Sequence, residues 1–272
     1  TRSTFAEQEA DLAGLQRAIR ALPPGRFYAG LPNDWGRNYN IGAIPMYAWL
    51  GSNGYDHVGY EYFPFALNGD LNYVFDSSNG LHYDLFNVRY LLAPAGQTPP
   101  SFAALILQRG DHALYQIPTS GYFKPVRAPF IWYGDPADWF EAQRDWLSSG
   151  LLEAGQHPLI RFGADHAVAA ASLPMLPLAE AASQNLPQYA QNLPAPGTVA
   201  GETVGAGDFR ARVQMAEAGY VLLKVSYHPN WTAIVDEKPA SVMMIAPSYP
   251  AIWVESGEHE IRAVPPEPLG VL

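Results

Sequence analysis

The chain has 272 residues, enough at about 150 residues per domain for one large domain or two ordinary ones, each with a sizeable core. Hydrophobic residues make up 48% and charged residues only 15%, which excludes a disordered chain. Lys and Arg number 16 against 26 Asp and Glu, for a net charge of −10, and no stretch gathers the basic residues; a nucleic-acid partner, which needs a basic patch to neutralise its phosphates, is not expected.

Cysteine is absent, which removes disulfides, thiolate nucleophiles and zinc–thiolate or iron–sulfur sites, and leaves the redox compartment open. The chain starts at Thr1 with no secretory apolar region after it, which reads as a piece of something longer. Its richest apolar stretch, 168–182, is broken by Pro174 and Pro177 and flanked by Asp165 and Glu180. No window of about 18 apolar residues exists to span a bilayer, so any membrane attachment is expected outside these residues.

Residues 4–22 read as an amphipathic helix. Thr4 and Glu7 form a capping box, Phe5, Leu12, Leu15, Ile19 and Leu22 recur at helical steps, and Pro23-Pro24-Gly25 ends the run. From Arg26 to about Ala95 the chain is thick with Tyr, Trp, Gly, Asn and Pro, which suits short strands and long loops. Val88 to Leu92, Ala103 to Gln108, Ala113 to Ile117 and Phe130 to Tyr133 are strand candidates. A second helix follows at 136–149, with Asp135 as N-cap, Pro136 at its first position, Trp139, Phe140, Gln143, Trp146 and Leu147 on one face, and Gly150 as the stop. The proline-rich stretch 172–198 reads as a surface connection or an irregular edge, and as a candidate boundary.

The last 75 or so residues are the most regular. Gly201, Gly205 and Gly207 read as a flexible turn before a strand at Phe209 to Met215. Alternation then marks strands at 221–228 and 231–236, a turn at Asp236 to Pro239, and strands at 241–245, 251–255 and 258–264. An antiparallel meander of this kind closes most readily as a β-sandwich.

Motifs with fixed spacing are missing. No phosphate loop, zincin pair or Gly-x-Ser-x-Gly elbow occurs, and the adjacent pairs Asp56-His57, Asp111-His112 and Asp165-His166 would point to opposite faces of a strand. No metal site and no cofactor is predicted; calcium, which loop oxygens bind without fixed spacing, leaves no motif of its own outside an EF-hand, and none is present. Glycosidase chemistry needs only two carboxylates about 5–10 Å apart, so it stays open, with Asp34, Asp56, Glu61, Asp70 and Asp76 as the acids set among aromatics. Their alternative role is to cap turns. Trp35, Tyr39, Tyr47, Trp49, Tyr55, Tyr60, Tyr62 and Phe63 are interleaved with Asn and Asp, a mix that serves sugar recognition, rings stacking on a pyranose while amides and carboxylates take its hydroxyls. The same rings can equally be the core of a loop-rich domain.

Tyr227-His228-Pro229-Asn230-Trp231-Thr232-Ala233-Ile234-Val235-Asp236, followed by Lys238-Pro239, Ala251-Ile252-Trp253-Val254 and Gly257-Glu258-His259-Glu260-Ile261, resembles the carboxy-terminal extracytoplasmic region of YfhO-like bacterial membrane proteins. Asn53 to His57, Asp84 to Leu92 and Leu114 to Pro118 resemble landmarks of that family in the same order, so the likeness runs over most of 25–264. Asn230 and Glu237 stand where the family has Gly, which predicts a longer or different hairpin. These proteins are polytopic, with a GT-C-type glycosyltransferase architecture. The resemblance implies a location on the extracytoplasmic face of the bacterial cell membrane, with membrane contact through transmembrane helices outside this sequence, and a lipid-linked glycan as partner.

The elements predict a β-rich α+β protein: a loop-rich amino-terminal α/β part followed by an antiparallel β-sandwich, with the amphipathic helix at 136–149. Expected divisions are 1–22, a helix that by resemblance follows a transmembrane segment; 23–120, an aromatic-rich α+β domain; and 121–272, the sandwich domain. The expected role is a non-catalytic domain that binds or positions a cell-envelope glycan acceptor. The alternatives are a stand-alone glycoside-processing enzyme using two carboxylates and a structural or protein-interaction module. No catalytic residue is assigned. The sugar contacts expected are Trp35, Tyr39, Trp49 and Tyr55 for stacking, with Asp56 and His57 for hydroxyls; Trp231, Asp236, Trp253 and His259 are expected to be structural.

Overall fold

The computed structural model describes residues 5–59, 67–163, 173–205 and 207–266. The chain forms two compact units, one from 1–62 with 75–121 and the other from 63–74 with 122–272. The expected capping box at Thr4 and Glu7, the pair Asp165-His166, and Tyr60, Glu61, Tyr62 and Phe63 lie outside the described residues or side chains.

The first unit holds α1 (Phe5–Arg20), β1 (Arg26–Tyr28), β2 (Asn40–Ile41), β3 (Ile44–Pro45), α2 (Met46–Ser52), β4 (His57–Val58), α3 (Gly80–Leu85), β5 (Val88–Pro94), β6 (Ala104–Arg109) and β7 (His112–Gln116). Its main sheet runs β4-β1-β5-β7-β6, parallel on the β4-β1-β5 side and antiparallel on the other. β5 sits in the middle because Val88, Tyr90, Leu91, Leu92 and Ala93 are all buried, a near-continuous apolar run that only a covered strand accommodates. Leu15 and Ile19, four apart on α1, pack into the same core as Phe27, Tyr90, Leu92 and Leu114. Each such side chain contributes about 1.5–3 kcal/mol on burial.

The second unit holds β8 (Phe123–Val126), β9 (Ile131–Gly134), α4 (Trp139–Leu147), β10 (Leu159–Phe162), β11 (Met175–Pro177), β12 (Gly197–Gly205), β13 (Asp208–Met215), β14 (Gly219–Leu223), β15 (Thr232–Val235), β16 (Lys238–Ala240), β17 (Val242–Ile245), β18 (Tyr249–Val254) and β19 (Gly257–Val264). A seven-stranded sheet, β11-β9-β10-β17-β18-β14-β8, faces a five-stranded sheet, β12-β13-β19-β15-β16. Between them lie Val221, Leu223, Ile252 and Val254 from one side and Ala211, Val213, Trp231, Ala233, Ile261 and Ala263 from the other. This is a β-sandwich in a β-rich α+β protein.

Its wiring departs from the expected meander in four places. The seven-stranded sheet is mixed, since β9 pairs in parallel with both β10 and β11. Successive strands also change sheets: β14 and β18 lie in one, β15 and β19 in the other. The strand expected at 221–228 stops at Leu223, where the Val225 amide turns back onto the Leu223 carbonyl at 2.7 Å. Gly201 and Gly205 belong to β12 rather than to a turn, and Gly207, at φ +79°, is a hairpin glycine. The stretch 172–198, expected as a surface connection or an irregular edge, does supply an edge strand: β11 borders the seven-stranded sheet beside β9, and Leu178, Ala181 and Leu186 after it are buried.

The 136–149 helix is a short 3₁₀ turn, Pro136–Asp138, continued by α4. Asp135 caps it, accepting the Ala137 amide at 2.8 Å, and Trp139, Ala142, Gln143 and Trp146 form the buried face. The β15–β16 hairpin is a two-residue turn, with Val235 paired to Lys238 and both Asp236 (φ 48°) and Glu237 (φ 65°) left-handed. That is the type I′ geometry in which Gly is the favoured second residue, so the longer hairpin expected from Glu237 is not formed; the chain accepts backbone strain instead.

Candidate functional site

The aromatic segment of the first unit is folded inward. Tyr39 is 4% exposed and Trp49 is 9%, both inside the core with Leu15, Phe27, Met46 and Leu50, while Trp35 and Tyr55 are half-buried against it. Trp49 meets Tyr55 with ring centroids 6.1 Å apart, and Trp35 meets Tyr39 at 6.0 Å. Tyr39 and Trp49 therefore present no ring face for a sugar, which corrects the stacking role expected of them. The acids here close loops. Asp34 accepts the Leu31 and Gly36 amides at 2.7 Å each with one oxygen and the Tyr28 hydroxyl with the other. Asp76 accepts the Ser78 amide at 2.8 Å and its hydroxyl at 2.7 Å, which holds its carboxyl below the usual range.

Asp56 is exposed and pairs with Arg26 Nε at 2.9 Å, and the His57 ring lies between Gly51 and Gly59, where a Cβ would come within 2.8 and 2.6 Å of its carbons. His57 Nδ1 is 3.1 Å from the Tyr55 carbonyl oxygen. Deeper in the unit, the Tyr39 hydroxyl is 2.7 Å from His112 Nδ1. Burial pushes the Tyr39 phenol up and the His112 imidazole down, so both stay neutral at pH 7.

The second unit carries a different kind of surface. Residues 211, 213, 261 and 263 point into the sandwich, so the alternate positions of β13 and β19 face outward. Register then sets Arg210 opposite Arg262, Arg212 opposite Glu260, Thr203 opposite Arg210 and Ile234 opposite Arg262. These residues line a groove of about 480 Å³ on the outer face of the five-stranded sheet. Asp208 bridges the facing arginines, accepting Arg210 Nε at 2.7 Å and Arg262 Nε at 2.8 Å, and these two hydrogen bonds, Arg262 first, hold its carboxyl below the usual range. Glu202, at the rim, is committed to the Tyr122 and Phe123 amides at 2.9 and 3.1 Å. Arg212 makes no ion pair among the described residues, although Glu260 stands across from it.

Beside the groove, the Glu260 amide donates to Asp236 at 2.9 Å and His259 Nδ1 lies 2.6 Å from the same carboxyl. The two bonds depress Asp236, and the Asp236 hydrogen bond raises His259. Both residues thus brace the type I′ turn, and Trp231, 8% exposed, fills the sandwich core and donates its indole N–H to the Ser226 carbonyl at 3.1 Å. Trp253 does not share that role: it is 45% exposed on β18, edge-on to Tyr220 at 5.0 Å, with its N–H on Glu255 at 2.9 Å.

No single stretch of sequence is basic, yet strand pairing assembles three arginines from two segments about 50 residues apart. The available signal was the alternation Phe209-Arg210-Ala211-Arg212-Val213, which puts two cations on the face opposite the core. No protein family, curated protein or solved structure matches this chain. What the fold and the groove define is a class: a β-rich α+β protein with an arginine-lined, strand-built groove on its sandwich. Among the described residues no helix is long and apolar enough to cross a membrane.

Proposed function

We propose that this chain is a non-catalytic extracytoplasmic part of a polytopic, glycosyltransferase-like membrane protein of the bacterial cell envelope, and that it positions a glycan acceptor. The observation that carries the binding role is the groove on the five-stranded sheet, where guanidinium, carboxylate and hydroxyl groups converge beside the apolar Ile234. This is the mix of directional polar groups and apolar area that holds a saccharide. The resemblance of the ordered motifs to those of YfhO-like proteins supports the membrane context. Asp76, Asp208 and Asp236 are each held below the usual carboxylate range by hydrogen-bond donors, the reverse of what a glycosidase acid requires.

A glycan array probed with the intact chain and with its Arg212→Gln variant tests the reading. Saccharide binding by the parent chain that is lost in the variant is the expected result. Binding to none of the glycans overturns it.

A second reading, a protein-interaction module, is favoured by β6. This edge strand exposes Leu105 (57%) and Ile106 (40%), an apolar stretch whose outer side pairs with no strand among the described residues.

A further inference from the structure

We propose that the groove on the five-stranded sheet takes a sugar acid, its carboxylate held by Arg212 together with the Arg210–Arg262 pair and its hydroxyls by Glu260 and Thr203. This rests on the glycan-positioning reading and names the ligand class of that same site.

Like charges directly opposite on neighbouring strands destabilise a sheet, yet Arg210 faces Arg262. Asp208 offsets the repulsion through the Nε atoms alone, which leaves the terminal nitrogens of both guanidiniums to donate elsewhere. Arg212 lies two residues from Arg210 on the same face of β13 and has no acidic partner among the described residues. The result is a set of planar donor forks on one sheet surface, the geometry that matches a planar carboxylate in bidentate fashion.

Charge sets the size of the anion. The three arginines are balanced locally by Asp208, Glu237 and Glu260, and the whole chain carries −10. That balance disfavours a polyphosphate, with more than one charge per phosphate unit, and suits an anion of one charge per sugar ring. Glu260, opposite Arg212, is placed to accept from hydroxyls rather than to bind the anion, and Ile234, opposite Arg262, offers apolar area to the ring carbons. A volume of about 480 Å³ suits a few sugar units.

The test is calorimetric titration of the intact chain with tetragalacturonate, with its fully methyl-esterified form, and with inorganic phosphate. The expected result is that the acid binds about tenfold or more tightly than the ester, and that Arg212→Gln removes this preference while the thermal midpoint is unchanged, Arg212 being exposed. Equal affinity for acid and ester overturns the sugar-acid proposal and leaves the glycan reading standing. Phosphate displacing tetragalacturonate at matched concentration identifies a plain anion site and overturns the proposal, as does undiminished preference in Arg212→Gln. Binding of neither saccharide overturns the sugar-acid proposal, while the glycan reading stands or falls on the array.

Discussion

In the first unit the polar groups of aromatic residues are turned inward, whereas in the second the charged groups lie on the outside of a sheet. Tyr28, Tyr39 and Tyr83 keep their hydroxyls inside, on Asp34, His112 and the Ser77 carbonyl, and burial pushes all three phenols up while it pushes His82 and His112 down. On the five-stranded sheet the shifts of Asp208, Asp236 and His259 come from hydrogen-bonded partners at the surface. A segment dense in Trp, Tyr, Asn and Asp is thus core in one unit, while a segment of plain alternation carries the arginine-lined groove in the other. Composition reports what a segment contains; strand register decides which of it faces solvent.

The sharpest way to break this contrast is to truncate rings. Trp49→Ala in the first unit and Trp231→Ala in the second are each expected to cost about 3–5 kcal/mol by urea unfolding. Trp253→Ala, on an exposed ring, is expected to stay within about 0.5 kcal/mol. A Trp49→Ala chain of unchanged stability would return the aromatic segment to the surface. Next in size is Tyr28→Phe, which leaves one oxygen of the loop-closing Asp34 without its donor and is expected to cost about 1–3 kcal/mol. In the opposite direction, Glu237→Gly relieves a left-handed residue in the type I′ turn and is expected to stabilise the chain by about 1 kcal/mol.

The smallest effect is on pH dependence, and its sign differs between the units. His82 and His112 are held below 6.5, so their contribution is complete above that pH and is lost as pH falls through the window beneath it. His259 is raised above 6.5, so its contribution is complete below that pH and is lost as pH rises through the raised value. Asp236 is held below 3.8, so its contribution persists above 3.8 and is lost as pH falls through the lowered value. Thermal midpoints of His82→Gln and His259→Gln, measured against the parent chain across pH 5 to 8, are expected to diverge from it in opposite senses. Parallel curves would contradict the division between burial and pairing.

Much of the fold was legible where a local signal decides structure. The helical steps of Leu12, Leu15 and Ile19, the cap at Asp135 with Pro136, and the apolar run Val88 to Leu92 each correspond to an element of the structure. The wiring was not legible. Whether β14 and β15 share a sheet depends on the turn at 224–225, and the parallel pairing of β9 with β10 and β11 joins segments whose patterns do not refer to one another. The groove was invisible for the same reason: Arg210 and Arg262 become neighbours only through the β13–β19 register. Trp253 misled because its strand, Tyr249–Val254, is apolar throughout, yet its ring falls on an exposed part of the sheet.

An amide NMR titration of the intact chain with tetragalacturonate decides between the groove and the aromatic segment. Shifts confined to Arg210–Arg212, Glu260–Arg262 and Ile234 are expected, with Trp35, Tyr55, Asp56 and His57 unmoved. Shifts at those four residues, with the strands of the groove silent, would contradict the groove as the binding site.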